Sequence, residues 1–361
     1  MWFETSVTNR LKITYPIIQA GMAGGVTTPE LIAKVSNAGG LGSLGAGYMN
    51  PGQMREAIQK VKLLTSNPFS INVFIPEGDV TSPVKIDKAN AAMRRYRDEL
   101  GLSDPETEQI SASVLQEEFK QKLQILIEEE VPICSFTFGI PSNEEIQLLK
   151  DQGLTLIGTA TTVNEALLNE ERGMDLVVMQ GSEAGGHRGT FTGEFDHSLI
   201  GTVSLIPQTV DRVSIPVIAA GGIMDGRGIL AALALGAGGV QMGTAFVTSK
   251  ESGANPLHKS LIMDSTEDQV IVTSKFSGKP ARGIHNQFMK EMAVVSIEDL
   301  PGYPMLNSLT KDIRGEAAKQ HRPEFMSLWS GQSPRLSGEK SAQEIVIQCV
   351  KQVERSLRNL T

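Results

Sequence analysis

Short apolar runs alternate along most of the chain with segments whose apolar residues fall three and four apart. The first pattern reads as buried strands, the second as helices with one apolar face. Tyr15–Ala20 is the first strand expected. Thr28 then fits a helix cap, with Pro29 at the first helical position and Glu30 in the first turn. Leu31, Ile32 and Val35 form that helix's apolar face and Gly39 ends it. Leu41–Leu44 is a second strand, Asn50-Pro51 opens a second helix along Met54, Ile58 and Val61, and Phe69–Phe74 is a third strand. A polar stretch over residues 77–110 interrupts the rhythm. It resumes with a helix near 111–130, where Leu115, Phe119, Leu123 and Leu126 share a face.

Further strands are expected at Ile133–Phe136, Thr155–Gly158, Asp175–Met179, Pro216–Ala219 and Gly239–Met242. The helices between them start at Ser142, at Thr162, where Glu165 completes a capping-box pattern, and at Asp225. Eight strand-plus-helix units in series predict a (β/α)8 barrel of residues 1–248, close to the ~250 residues such a barrel takes. A doubly wound sheet would not normally use eight such units unbroken. Beyond residue 248 the alternation fails. Residues 249–335, rich in proline, read as a small, mostly helical appendage covering the active-site face. Residues 336–361 carry an amphipathic helix, with Val346, Val350, Val353 and Leu357 on one stripe, expected to pack back on the barrel.

Composition narrows the function. The chain has 361 residues, of which 40% are hydrophobic and 20% charged, so it is globular. Its net charge is 33 − 41 = −8 and only 5% of residues are aromatic. Nucleic acid is therefore a poor partner, since phosphate neutralisation and base stacking are both undersupplied. Two cysteines, Cys134 and Cys349, exclude a disulfide scaffold and zinc fingers. No apolar run reaches membrane-spanning length. These features predict a cytoplasmic protein without membrane or nucleic-acid partners.

Glycine is in excess, at 36 residues. Ala220-Gly221-Gly222-Ile223 follows the seventh strand and Gln241-Met242-Gly243-Thr244 the eighth. In a barrel these turns commonly hold phosphate, because glycine lets main-chain N–H groups approach an anion, and Thr244 adds a hydroxyl donor. The sixth strand feeds Gln180-Gly181-Ser182-Glu183-Ala184-Gly185-Gly186-His187-Arg188-Gly189-Thr190. A loop so rich in glycine suits a flat ligand, and His187 has no apolar neighbours that would bury it as a structural residue. Other chemistries are poorly served. There is no His-Glu-x-x-His, Walker A or Gly-x-Ser-x-Gly pattern, and no metal site is expected, since His187 and His197 would meet on a metal only by coincidence. Gly40–Gly45 matches Gly-x-Gly-x-x-Gly by letters but spans a strand instead of a strand-to-helix turn. Cys134 reads as a small core residue.

Together with Pro16–Ala23, Asn72, Lys279–Gly283 and Trp329–Gln332, these segments resemble the bacterial nitronate monooxygenases, formerly called 2-nitropropane dioxygenases, over nearly the whole chain. The resemblance implies FMN bound non-covalently in the barrel. It places Asn72, Gln180, Gly185, Gly222, Gln241, Met242, Gly243 and Thr244 at the flavin, with Gly222, Gly243 and Thr244 on its phosphate, Met22 near its ring system and His187 beside the substrate. The implied reaction oxidises alkyl nitronates, such as propionate 3-nitronate, with dioxygen and releases nitrite. His187 is expected to position the anion, or to act as a base on a neutral nitroalkane at an ordinary pKa of ~6.5. The 77–110 stretch is longer than the family leads one to expect. A monomer or homodimer fits. Two alternatives stay open: an NAD(P)H-dependent flavin reductase of the enoyl-acyl-carrier-protein or quinone type, and a phosphorylated-ligand binding protein without redox chemistry.

Overall fold

The computed structural model describes residues 1–77, 82–103, 105 and 111–360. Eight parallel strands form one sheet: β1 (Ile17–Gln19), β2 (Gly42–Gly45), β3 (Phe69–Phe74), β4 (Ile133–Thr137), β5 (Thr155–Ala160), β6 (Leu176–Gln180), β8 (Val217–Ala220) and β9 (Gly239–Met242). The order is β1-β9-β8-β6-β5-β4-β3-β2. The two ends meet where Ile18 bridges Leu41, with Gln19 N–H donating to the Leu41 carbonyl and Leu41 N–H to that of Ile17, each at 2.9 Å. The sheet therefore closes into the expected (β/α)8 barrel, within a residue or two of each expected strand.

Two apolar layers hold it. Ile18, Leu41, Ile133, Ile157, Leu176, Val178 and Ile218 fill the barrel together with Val7 and Leu11. These last two come from an N-terminal helix, Ser6–Leu11, which the strand pattern did not announce. Thr5 caps it and donates to the Gly238 carbonyl at 2.6 Å, so the helix plugs the end of the barrel where the strands begin. Outside, strand residues facing the other way pack on the helices. The C-terminal helix, Ala342–Leu360, joins this layer: its Val346, Cys349 and Val353 share a cluster with Ile229 and Ala232 of helix Gly226–Ala234.

Two local features go beyond the expectations and a third corrects one. The polar stretch at 77–110 contains a helix, Pro83–Leu100; positions 78–81, 104 and 106–110 lie outside the described residues. Its sparse apolar stripe of Ile86, Ala89, Met93, Tyr96 and Leu100 packs on Phe276, Phe288 and Phe325, which lie far along the chain. The stripe is broken by a buried cation, Arg97, whose Nε donates to Asp312 at 2.8 Å. Second, residues 249–335 are mostly helical as expected and also carry two short strands. β10 (Val270–Thr273) and β11 (Ala281–Ile284) pair antiparallel, and β11 also pairs with β7 (Gly186–His187), in register Ala281 with His187. The loop after β6 is thus a strand of a second sheet. Third, Thr162 caps its helix by accepting the Glu165 N–H, but the Glu165 side chain does not return to Thr162. It is fully buried and accepts from Thr161 N (2.6 Å), Thr161 Oγ1 (2.7 Å), Phe191 N (2.6 Å) and Thr192 N (2.9 Å). The four donors offset the cost of burying that charge and pin the loop after β7.

Candidate active site

A cavity of about 220 Å³ opens at the C-terminal ends of the strands. Nine of the ten residues singled out from the sequence line it: Met22, Asn72, Gln180, Gly185, His187, Gly222, Gln241, Gly243 and Thr244. Met242 does not. Side chains alternate along β9, so with Gln241 facing the cavity Met242 faces outward; it is buried in the layer that contains Ile17 and Ala219.

One side of the cavity is mainly backbone. Gly222 sits at φ +70°, and a Cβ there would lie 3.3 Å from Glu183 Cβ. Gly185 has no room at all: an added Cβ would lie 2.5 Å from Gly331 N. Among the described residues no group accepts from the N–H of Gly221, Gly222 or Gly243. Gly331 N–H donates to Thr244 Oγ1 at 2.9 Å, which leaves the hydroxyl proton of Thr244 to be given elsewhere. Ser333 Oγ donates to the Gly222 carbonyl at 3.1 Å and Gln332 N–H to the Glu183 carbonyl at 3.0 Å. The segment 329–333 therefore lies across three strand-end turns. Uncommitted N–H and O–H donors on glycine turns are what a phosphate monoester requires.

The other side is made of side chains. His187 Nε2 is 2.8 Å from Ser277 Oγ. Ser277 Oγ donates its one proton to the Lys279 carbonyl at 3.0 Å and accepts from Lys279 N at 3.3 Å. His187 thus carries its proton on Nε2, and Nδ1 is left bare. Phe138, Tyr303 and Trp329 stand edge-on to the imidazole at 6.0, 6.1 and 5.5 Å between centroids. Loss of hydration, then the charges of Arg314 and Lys279, push the His187 pKa down to about 3. The ring is neutral at physiological pH, which corrects the expectation of an unperturbed histidine. Lys279 pairs with Glu77 and lies 4.7 Å over the Phe138 ring. Arg314 donates to Thr310 and Asn307 and forms no ion pair among the described residues.

Asn72 Nδ2 donates to Ser135 Oγ at 3.0 Å and Thr137 Oγ1 at 3.1 Å, across neighbouring strands. The Gln180 amide is already engaged with its own loop, on the His187 carbonyl at 2.9 Å and the Gly189 N–H at 2.8 Å. A second histidine, His258, also lines the cavity; its Nε2 donates to the Trp329 carbonyl at 3.0 Å, and burial holds its pKa near 4. Sequence reasoning missed His258, Phe138, Ser277, Tyr303 and Arg314. The only local signal was Phe138-Gly139 at a strand end, where Phe138 adopts φ +73°.

The nitronate monooxygenase family model matches residues 5–352. The chain belongs to the nitronate monooxygenase family. It is 52% identical over 356 residues to a probable nitronate monooxygenase of Staphylococcus haemolyticus, covering 98% of each chain. Against a probable nitronate monooxygenase of Staphylococcus aureus strain MSSA476 the identity is 49% over 359 residues, covering 99% of each. Its structure is similar to that of a nitroalkane oxidase from Streptomyces ansochromogenes, with TM-score 0.90 and 36% identity over 98% of this chain and 99% of that one. It is also similar to FabK from Thermotoga maritima, with TM-score 0.76 and 32% identity over 99% and 98%. Family membership makes the chain an oxidoreductase that acts on nitronates. Among the described residues no helix is long and apolar enough to cross a membrane.

Proposed function

We propose that the chain binds FMN in this cavity and oxidises alkyl nitronates with dioxygen, releasing nitrite. The observation that carries the reading is the pairing of uncommitted N–H donors at Gly221, Gly222 and Gly243 with a neutral, wall-packed His187 across one cavity. Gly222, Gly243 and Thr244 would hold the phosphate, and Asn72, Gly185 and Gln241 would border the ring system. When bound, the flavin supplies the electron transfer from nitronate and onward to dioxygen.

The chain's own part is to attract, orient and shield. Lys279 and Arg314 place positive charge beside His187, which favours an anionic substrate over its neutral conjugate acid. Phe138, Tyr303 and Trp329 keep bulk water from the imidazole. A nitronate beside the ring raises its pKa, so Nδ1 takes up a proton and donates to the anion while Nε2 stays on Ser277. Toward a neutral nitroalkane the same bare Nδ1, with a pKa held near 3, is a weak base, so the site favours substrate that arrives already deprotonated. In this reading residues 1–248 act as the barrel, 249–335 cover its mouth and 336–361 brace its flank.

The likeness to FabK favours a second reading, an NAD(P)H-dependent flavin reductase. Anaerobic mixing separates the two. Bleaching of the flavin by propionate 3-nitronate and not by NADH or NADPH supports the oxidation of nitronates. Rapid bleaching by a reduced nicotinamide overturns it. Oxygen consumption with matching nitrite release then tests the rest of the reaction.

A further inference from the structure

The end of β6 and the loop after it are tied together by two side chains that reach in opposite directions. The Gln180 side chain reaches forward to the main chain of His187 and Gly189. Arg188 reaches back: Nη1 donates to the Gly181 carbonyl at 2.5 Å, and Nη2 to the carbonyls of Gln180 and Ser198, each at 2.9 Å. Its own backbone N–H donates to the Pro280 carbonyl at 2.8 Å.

Arg188 is 1% exposed. Among the described residues it forms no ion pair; Glu165 and Glu183 act on it only through space. Their oxygens are occupied, those of Glu165 as described above and those of Glu183 by Thr202 N and Oγ1, each at 2.8 Å. Arg188 Nε is buried with no partner. A guanidinium without a carboxylate is an expensive way to fill space. An apolar side chain would leave three carbonyls without this donor, two of them on Gln180, which lines the cavity, and on its neighbour Gly181. A lysine could not span them, because it lacks the planar fork. The pairing of β7 with β11 fixes the His187 main chain from one side only; the Gln180–Arg188 clamp fixes it from the other.

We propose that Arg188 is a positioning residue for His187: its guanidinium fork locks the 180–189 loop so that the imidazole keeps its place against the cavity and its bond to Ser277. This rests on the reading of His187 as the group that meets the substrate. The test is a double-mutant cycle of Arg188→Lys and His187→Asn on the flavin-loaded protein, with kcat, KM, bound flavin and thermal midpoint measured for each. Arg188→Lys is expected to lower kcat about 10- to 100-fold, the cost of misplacing a reacting group by about 1 Å, with KM and bound flavin little changed. In the His187→Asn background the same change is expected to cost less than about twofold, since residues acting as one unit are not additive. Equal losses in both backgrounds, or an unaltered kcat in Arg188→Lys, overturn the proposal. If His187→Asn alone turns over normally, the reading of His187 fails first, and the cycle shows it. Should Arg188→Lys not fold, Gln180→Glu in the same cycle replaces the donor to the His187 carbonyl with an acceptor. Coupling to His187 then supports the clamp, and additivity overturns it.

Discussion

The two sides of the cavity are built by different means. On the glycine side, Gly221, Gly222 and Gly243 present main-chain N–H groups at the ends of adjacent strands. Little there depends on a side chain except the Thr244 hydroxyl. On the histidine side, His187 is surrounded by Ser277, Lys279, Tyr303, Arg314 and Trp329, all at least 90 residues further along. The first side offers its donors through backbone geometry, which a short motif can encode. The second works by charge and desolvation, which only packing can create. Substitutions on the two sides should therefore fail differently.

The sharpest separation is His187→Asn. Turnover of propionate 3-nitronate should fall by about 10²–10⁴-fold, the usual contribution of a positioned acid–base group, while the protein stays yellow. Loss of flavin instead would merge the two sides. Thr244→Val is the mirror experiment. A hydrogen bond to a charged group contributes about 1.5–3 kcal/mol, so FMN should bind about 10- to 100-fold more weakly, as read by equilibrium dialysis. Riboflavin, which lacks the phosphate, should bind as before. Equal losses for both would show that the hydroxyl does not face a phosphate.

Smaller effects probe the field around the imidazole. Lys279→Met should reduce kcat/KM for a nitronate by about fivefold, and less at high salt, because a charge at a site mouth acts through screened attraction. Turnover of the neutral nitroalkane should not fall, because removing this cation raises the His187 pKa and makes the ring a better base.

The pH dependence is subtler. Folding moves the His187 pKa from its ordinary ~6.5 to about 3. Between those values the unfolded chain binds more protons than the native one, so this residue's contribution lowers stability as pH falls from about 6.5 toward 3. Denaturant midpoints measured at pH 7 and pH 4.5 should differ less in His187→Asn than in the parent. NMR of the parent's imidazole should show no titration between pH 8 and pH 5.

Most of the barrel was legible because its signals are local. A buried parallel strand is an apolar run, its helix carries a cap and a stop, and both repeat. Helix 83–100 escaped because its apolar stripe is thin and interrupted by Arg97, which is neutralised by Asp312 far away in the chain. The β7–β11 pairing escaped because two residues of strand carry no periodicity, and antiparallel partners some 95 positions apart leave no trace in either segment.

The site divides along the same line. Glycine turns, the strand-end amides and the loop histidine could be named from the sequence, since residue type and strand-end position are enough to place them. Met242 lay in the right turn, but alternation along β9 sent its side chain to the core. The protonation state of His187 was beyond sequence. Its neutrality comes first from loss of hydration and then from the charges of Arg314 and Lys279, and its tautomer from a serine whose proton is spent elsewhere. By itself the sequence determined the barrel, the mouth at which its chemistry sits and the backbone donors there. Tertiary structure alone decided how charged that mouth is and which nitrogen of His187 is free, because desolvation and Coulomb forces depend on neighbours in space.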